Sequence, residues 1–284
     1  MAQEKWSEAI TALKGWMAKT PDANASVYYL LAVAYYQLND YKLALAPAQK
    51  AIEMAEKPQE SWIQLLLALR IQREEYQLAI PLIKSLIALA PGKKTYWLQL
   101  SGMYAELENY EQAVIPLQLA LRAGMLTEQT EIKRLADLLL YNQIPYRCGL
   151  TLTTAMDAKK VTVDSKVLES LSNCWIAARE YNKAITPLTR AAELSDDGRL
   201  FIRLGEVHVQ RGEWEQASGA LGKGINAGNL KNLPDAQVLM GIALFNQKKL
   251  REAKTWFERA EQSSKTRDQA EGWIRHIDAQ LAAQ

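Results

Sequence analysis

The sequence predicts an all-α protein built from repeated helix pairs, and three observations support that fold class. A stripe of large and small residues recurs with a period of about 34 residues. A second helical pattern lies upstream of each stripe, and a short polar turn separates the two. The composition agrees, because 49% hydrophobic and 23% charged residues in a chain of 284 are typical of a folded protein.

The second helix of each repeat is marked by one fixed set of offsets. A large residue opens it, and mostly small or apolar residues follow three, seven and ten positions later, on one helical face. Tyr110, for example, is followed by Ala113, Leu117 and Ala120. The opening residues are Tyr41, Tyr76, Tyr110, Tyr181, Trp214 and Leu250.

The first helix of each repeat carries a large, large, small, large pattern at offsets of zero, three, four and seven. One instance is formed by Trp97, Leu100, Ser101 and Tyr104. The small residue leaves a notch in which the partner helix can approach closely. Turns such as Leu38–Asp40 join the two helices and supply Asn or Asp side chains for capping.

The interval between Tyr110 and Tyr181 is two periods long, and Tyr146 stands in its middle. The small stripe is lost there, because the residues at the expected offsets are Gly149, Thr153 and Met156. The sequence therefore predicts a degenerate fourth repeat at about 126–160. Its role is open between a loosened structural joint and a hinge or docking point.

The ends of the chain complete a single predicted solenoid over residues 1–284. Residues 1–21 have the pattern of a second helix alone, 22–262 contain about seven repeats, and 266–282 predict a capping helix. Since the first segment lacks both a partner helix and an apolar leader, we expect a trimmed chain from which a signal peptide has been removed.

Four prolines fall inside predicted second helices. Pro47, Pro116 and Pro187 lie six residues after the opening residue, and Pro81 lies five after it. A proline inside a helix removes a backbone donor and favours a kink. We expect these helices to bend there, with the prolines on the outer surface and away from the core.

The sequence predicts no catalytic residue, no cofactor and no metal site. It contains no glycine-rich phosphate loop, HExxH or CxxC. His208 takes a core position of the repeat, and His276 is expected on the surface of the capping helix. A net charge of +2 gives no reason to expect nucleic acid as a partner, and no apolar run is long enough for membrane insertion.

The two cysteines leave the compartment open. Cys148 and Cys174 fall on adjacent helices of neighbouring units, so a bridge between them is conceivable. Two free thiols would fit the cytosol, whereas one bridge or two buried thiols would fit the periplasm.

The repeat resembles the tetratricopeptide repeat family, which is defined by a helix–turn–helix of 34 residues with a W-x-x-L-G-x-x-Y…A…A…P signature. Pro91 closes the second full repeat at the expected position. The resemblance covers nearly the whole chain and implies a right-handed superhelical solenoid. It also implies that first helices line the inner, concave wall, where partner peptides lie.

The candidate partner-binding residues follow from that wall. They lie one, five, eight or nine residues after the first residue of each first-helix pattern, and all but Val33 are polar or aromatic, with few charges. The pattern of Lys, Asn and Arg with which chaperone-binding relatives hold a carboxylate is lacking. The candidates are Tyr29, Val33, Tyr36, Gln37, Gln64, Gln72, Arg134, Tyr141, Asn142, Asn173, Gln210 and Asn246.

Several blocks, including LADLLLYNQIPYR and NCWIAAREYNKAI, are similar to periplasmic tetratricopeptide proteins that accompany TonB–ExbB–ExbD systems of proteobacteria. This resemblance implies a non-enzymatic periplasmic scaffold that assists energy transduction to receptors for iron carriers, with TonB or ExbD as partner. Two alternatives are a cytosolic regulatory module that controls an enzyme or transcription factor, and a self-associating structural protein. The oligomeric state is not predicted.

Overall fold

The computed structural model describes residues 2–20, 23–228 and 230–283, and within these ranges it contains sixteen α-helices and no strand. Two compact units divide the chain, Met1–Thr127 (the N-terminal unit) and Glu128–Gln284 (the C-terminal unit). Whether the two units form one continuous solenoid stays a prediction. None of the described helices combines the length and the apolar character that a membrane span requires.

The N-terminal unit contains seven helices, each packed against the next. α2, α4 and α6 are first helices of repeats, and α3, α5 and α7 are their partners. The helices are α1 (Ala2–Lys19), α2 (Ala25–Gln37), α3 (Tyr41–Met54), α4 (Glu60–Gln72), α5 (Tyr76–Leu89), α6 (Lys94–Glu106) and α7 (Tyr110–Arg122).

The C-terminal unit contains nine helices, again packed in chain order. α8, α10, α12 and α14 are first helices, and α12 also contacts α14. The helices are α8 (Gln129–Tyr141), α9 (Pro145–Asp157), α10 (Ser165–Ala177), α11 (Tyr181–Ser195), α12 (Gly198–Gln210), α13 (Trp214–Ala227), α14 (Leu233–Asn246), α15 (Leu250–Glu261) and α16 (Arg267–Ala282).

The predicted stripes form the core between paired helices. Ala113, Leu117 and Ala120 of α7 are fully buried. The notch is real, because a Cβ on Gly205 would lie 2.6 Å from Leu221 Cγ, closer than side chains tolerate. In α6 the notch residue Ser101 is buried and donates a hydrogen bond of 2.7 Å to the carbonyl of Ala113. Small residues thus set the close approach of the two helices in the pairs α6–α7 and α12–α13.

The fourth repeat is regular, and the predicted register was wrong by one residue. Cys148, Leu152 and Ala155 are buried at offsets of three, seven and ten from Pro145, which is the first residue of α9. Tyr146 is instead 49% exposed. Proline suits the first turn of a helix because the missing donor has no helical partner there, so Pro145 replaces the aromatic residue that marks most other second helices.

Two independent features support that corrected register. The first helix of this repeat buries the expected pattern at Ile132, Leu135, Ala136 and Leu139. Every described repeat also places the residue two before its second helix in the left-handed backbone region, and in this repeat that residue is Gln143 (φ 58°). Both features locate the start of the second helix at Pro145.

The prediction that the prolines face outward was wrong for two of the four. Pro116 and Pro187 are buried, whereas Pro81 is exposed and Pro47 is partly buried. Pro116 lies three residues after Ala113 and four before Ala120, so helical geometry places it on the same buried face. α7 and α11 continue as α-helix through their prolines, and the predicted bend stays a prediction.

Cys148 and Cys174 form a disulfide between α9 and α10, and their Cα atoms are 5.6 Å apart. Both side chains are buried. The bridge joins the second helix of the fourth repeat to the first helix of the fifth. Close packing supports the same junction, because a Cβ on Gly149 would lie 2.6 Å from the indole of Trp175.

α16 covers the last repeat of the C-terminal unit and occupies the range predicted for a capping helix. Its Trp273 stacks on Phe257 with ring centroids 5.4 Å apart, and Ala270 and Ile277 are fully buried. At the other end α1 spans Ala2–Lys19, and Pro21 of the predicted half repeat lies outside the described residues.

Candidate partner-binding surface

The first helices carry the candidate residues, and the corrected register defines their positions. In each first helix we count from the first residue of the large, large, small, large pattern. The residues one, five, eight and nine places after it are called the wall positions. In the fourth repeat the stripe begins at Ile132, so its wall positions are Lys133, Asp137, Leu140 and Tyr141. Arg134 and Asn142 therefore fall one place beyond the positions for which they were predicted.

In the N-terminal unit, aromatic candidates are committed to internal packing. Tyr29 stacks on Trp62 with ring centroids 5.1 Å apart and planes inclined by 15°. Tyr36 tilts against Tyr41 at 5.3 Å, and Val33 is partly buried. These side chains therefore stabilise the contact between helices as well as lining the surface.

The amide of Gln64 is held by a polar network between the second and third repeats. It donates a hydrogen bond of 2.5 Å to the hydroxyl of Tyr96 and one of 3.4 Å to Glu60. Tyr96 and Lys93 both donate to the same Glu60 carboxylate. Hydrogen bonds from Lys93 and Tyr96 lower the pKa of Glu60, and the bond to Glu60 raises the pKa of Lys93. Gln37 and Gln72 are exposed.

In the C-terminal unit, some candidates are hydrogen-bonded to the backbone and others are exposed to solvent. Asn142 donates 2.8 Å to the carbonyl of Leu138, and Asn246 donates 2.9 Å to the carbonyl of Ile242. Gln210 is exposed, and Tyr141 is 67% exposed. Asn173 differs from all of these, because its Oδ1 is buried and has no hydrogen-bond partner among the described residues.

A groove of about 860 Å³ opens along three first helices of this unit. Ile176 lines it from α10, whereas Ile202, Glu206 and Val209 line it from α12 and Leu239 from α14. Gln210, one of the predicted candidates, lies at its edge. The groove thus joins wall positions of successive repeats into one surface.

Asp137 and Glu206 were not among the candidate residues, yet the structure raises the pKa of both carboxyls. Solvent reaches both carboxyls, yet the surrounding protein reduces their hydration. Burial raises the pKa of Asp137, partly offset by Lys133. Burial and Asp235 raise the pKa of Glu206, while Arg203 opposes the shift. Both residues lie five places after the first residue of their first-helix pattern, and this shared offset could have identified them. For Asp137 the offset was missed because the predicted register of the fourth repeat was wrong by one residue.

Helix pairs follow one another along the chain, and the turn within each pair contains one residue in the left-handed backbone region. This arrangement defines a helical-repeat solenoid. A family model described as tetratricopeptide repeat matches residues 1–61 of the chain. No curated protein matches the sequence.

Several solved structures are similar to this chain at low sequence identity. The complex of Naa15/Naa10 bound to HypK-THB is 14% identical with a TM-score of 0.67, over 94% of this chain and 41% of that chain. The protein MamA AMB-1 is 17% identical with a TM-score of 0.51, over 61% of this chain and 92% of its own. The C-terminal part of a TPR repeat-containing protein from Cytophaga hutchinsonii is 15% identical, with a TM-score of 0.49, over 82% and 94%.

Proposed function

We propose that this chain is a protein-interaction scaffold that holds an extended segment of a partner protein along the first helices of its C-terminal unit. The observation that carries the proposal is the groove lined by α10, α12 and α14. A groove that crosses successive repeats offers contacts at regular intervals, which suits a chain segment better than a compact small molecule. A fold shared with a chain in a complex with HypK is consistent with this role.

The finer proposal is a periplasmic scaffold of a TonB-dependent uptake system, with a periplasmic segment of TonB or ExbD as the partner. It rests on the sequence resemblance. The Cys148–Cys174 bridge supports the compartment, since disulfides persist in oxidising environments such as the periplasm.

A co-purification experiment tests the partner. The purified chain is presented with the periplasmic segments of TonB and ExbD, and we expect one of them to be retained. Gln210→Trp fills the edge of the groove from an exposed position and should abolish retention. Gln216→Trp makes the same change at an exposed position of α13, away from the groove, and should retain the partner. Retention of neither segment, or equal loss in both variants, contradicts the proposal.

Thiol labelling tests the compartment. Protein taken from cells is denatured without reductant and treated with an alkylating reagent. Both cysteines should resist labelling if the protein resides in the periplasm. Two reactive thiols would instead indicate a reducing compartment and favour the cytosolic alternative.

A further inference from the structure

The second helices of the N-terminal unit carry exposed apolar residues on one side. We count from the first residue of each of α3, α5 and α7. Offsets of two, five, nine and thirteen share one helical face, because they are three or four residues apart. All twelve residues at these offsets are exposed, and nine of them are apolar. We call the twelve residues the apolar face, and its large members, each between 44% and 57% exposed, are Leu43, Met54, Leu78, Leu89, Ile115 and Leu119.

The same offsets in the C-terminal unit have a different chemistry. Its second helices are α9, α11, α13 and α15, and charged residues occupy six of their sixteen positions. The apolar face of the N-terminal unit contains one charged residue, Lys50. Equivalent positions of successive repeats lie side by side, and exposed apolar patches of this kind mark interaction surfaces. The charged residues of the C-terminal unit are Arg147, Lys183, Arg190, Lys223, Glu252 and Arg259.

Charged residues border the apolar face at offsets of one and twelve. In α3, Lys42 comes first and Glu53 lies in the last turn. In α7 the order is reversed, with Glu111 in the first turn and Arg122 in the last. All four are exposed, and none of them forms an ion pair with a described residue. The two charges of each helix are about 16 Å apart along its axis, so they do not satisfy each other.

An antiparallel arrangement of two copies of the chain brings the apolar residues together. A twofold axis across the middle of the helices lays each second helix on the same helix of the other copy, with the opposite direction. Offset two then faces offset thirteen, and Leu78 of one copy meets Leu89 of the other. Offsets five and nine also face each other, which pairs Ile115 with Leu119. Association is favoured because these side chains leave water.

The bordering charges agree with the same arrangement. Offset one faces offset twelve, so Lys42 of one copy meets Glu53 of the other. In α7 the same symmetry pairs Glu111 with Arg122. The long side chains of Lys and Arg can reach across the edge of the interface while α5 packs at its centre. Every pair therefore has opposite charges, as electrostatic complementarity requires.

Other occupants fit these residues less well. Anionic lipid headgroups attract clusters of Lys and Arg, yet offsets one and twelve of the three helices hold two basic and two acidic residues, and the apolar face adds only Lys50. A different protein would need the reversed order of charges opposite both α3 and α7. A second copy supplies that order by symmetry.

We infer that the N-terminal unit is a dimerisation surface, through which two copies of this chain associate by their apolar faces with antiparallel second helices. The inference goes beyond the proposed scaffold function, which rests on the C-terminal unit. A dimer carries two copies of the groove and so holds two partner segments at once.

Sedimentation velocity of the full chain over a concentration series tests the association. We expect a dimer that dissociates on dilution. Leu89→Glu places a charge in the apolar face and should weaken the dimer at least about tenfold. Leu194→Glu is the matched control and should leave the dimer unchanged, because Leu194 is also exposed at offset thirteen but belongs to α11. A monomer at every concentration overturns the inference, and so does a dimer that Leu89→Glu leaves intact or that both variants weaken equally.

Charge reversal tests the antiparallel pairing. Lys42→Glu and Glu53→Lys should each weaken the dimer by about fivefold to tenfold, because each change places like charges opposite each other. A mixture of the two variants should form mixed dimers of nearly parental affinity, since both pairs are then opposite in charge. Such a rescue requires contact between copies. Mixed dimers no tighter than the dimer of either variant alone overturn the inference.

Vesicles of phosphatidylglycerol test a lipid surface as the alternative occupant. The parent chain should remain in solution when the vesicles are sedimented. A chain that sediments with the vesicles, and loses this binding in Leu89→Glu, overturns the inference in favour of a lipid surface.

Discussion

Glu60 of the N-terminal unit and Glu206 of the C-terminal unit are both carboxylates on first helices, and their surroundings are opposite. Glu60 accepts hydrogen bonds from Lys93, Tyr96 and Gln64, which join the second repeat to the third. Glu206 faces a groove and accepts none from a described residue. Bonded neighbours lower the pKa of Glu60, whereas burial raises the pKa of Glu206.

The difference separates two uses of the same repeat surface. In the N-terminal unit the polar and aromatic side chains satisfy each other, as in the Tyr29–Trp62 stack. They therefore stabilise the junction between repeats. In the C-terminal unit the Oδ1 of Asn173 and the carboxylate of Glu206 make no hydrogen bond with a described residue, and a disulfide holds the preceding junction. Unsatisfied groups on a braced scaffold are the pattern expected of a binding surface.

The largest expected effect comes from removing that brace. Replacing both cysteines by serine frees the span of 26 residues between Cys148 and Cys174 in the unfolded chain. We expect the C-terminal unit to lose about 3 kcal/mol of stability, while the N-terminal unit is unaffected. Denaturant unfolding followed by hydrogen exchange of each unit measures this. A reductant should lower the stability of the parent chain only, so equal sensitivity of the serine variant would contradict the account.

A smaller loss of stability is expected when the hydrogen-bond network of Glu60, Gln64 and Tyr96 in the N-terminal unit is disrupted. Tyr96→Phe removes the hydroxyl that donates to Glu60 and accepts from Gln64. The variant should lose about 1 kcal/mol in urea unfolding, since one buried hydrogen-bonding group disappears and its partners lose a contact. Tyr28→Phe, at a hydroxyl of the same unit that makes no hydrogen bond with a described residue, should change stability less than Tyr96→Phe.

The pH dependence of two glutamine variants sharpens the comparison further. Because the pKa of Glu60 is lowered, its ionised form stabilises the fold above its ordinary pKa, and this contribution disappears as pH falls through the folded value. Glu60→Gln should therefore destabilise the chain at neutral pH and have little effect on its stability in acid. Thermal unfolding over a pH series measures the difference.

The raised pKa of Glu206 gives the opposite sign. Its ionised form opposes folding at pH values above the folded pKa, and the penalty disappears as pH falls below the ordinary value for glutamate. Glu206→Gln should thus slightly stabilise the chain at neutral pH, and thermal unfolding over the same pH series measures this. Destabilisation at neutral pH would show that Glu206 has a structural role that the account omits.

The sequence predicted the fold well because the repeat records its packing in residue size. Ala113, Leu117 and Ala120 recur as a buried stripe, and the notch at Gly205 is required by contact with Leu221. Because these positions recur in several repeats, they could be identified from the sequence. The start of the second helix in the fourth repeat was harder to identify. Pro145 takes the place of the expected aromatic residue, and the neighbouring Tyr146 suggested a start one residue too late.

The candidate site was less predictable because it depends on which polar groups find partners. Gln64 and Asn173 are similar amides at wall positions, yet one is held by Tyr96 and Glu60 while the other has an unpartnered oxygen. That distinction arises from contacts between repeats, which no spacing records. The burial of Pro116 could have been predicted from its offsets to Ala113 and Ala120. We instead expected it on the outer surface, because proline disrupts helices.

Hydrogen exchange in the presence of the TonB or ExbD segment that the chain retains tests the central claim most directly, because it reports where the partner segment binds. We expect increased protection in α10 and α12 of the C-terminal unit, which line the groove, and loss of that protection in Gln210→Trp. Protection confined to α2, α4 and α6 would contradict the proposal, since those first helices do not line the groove. Protection at α10 and α12 that persists in Gln210→Trp would likewise contradict binding in the groove.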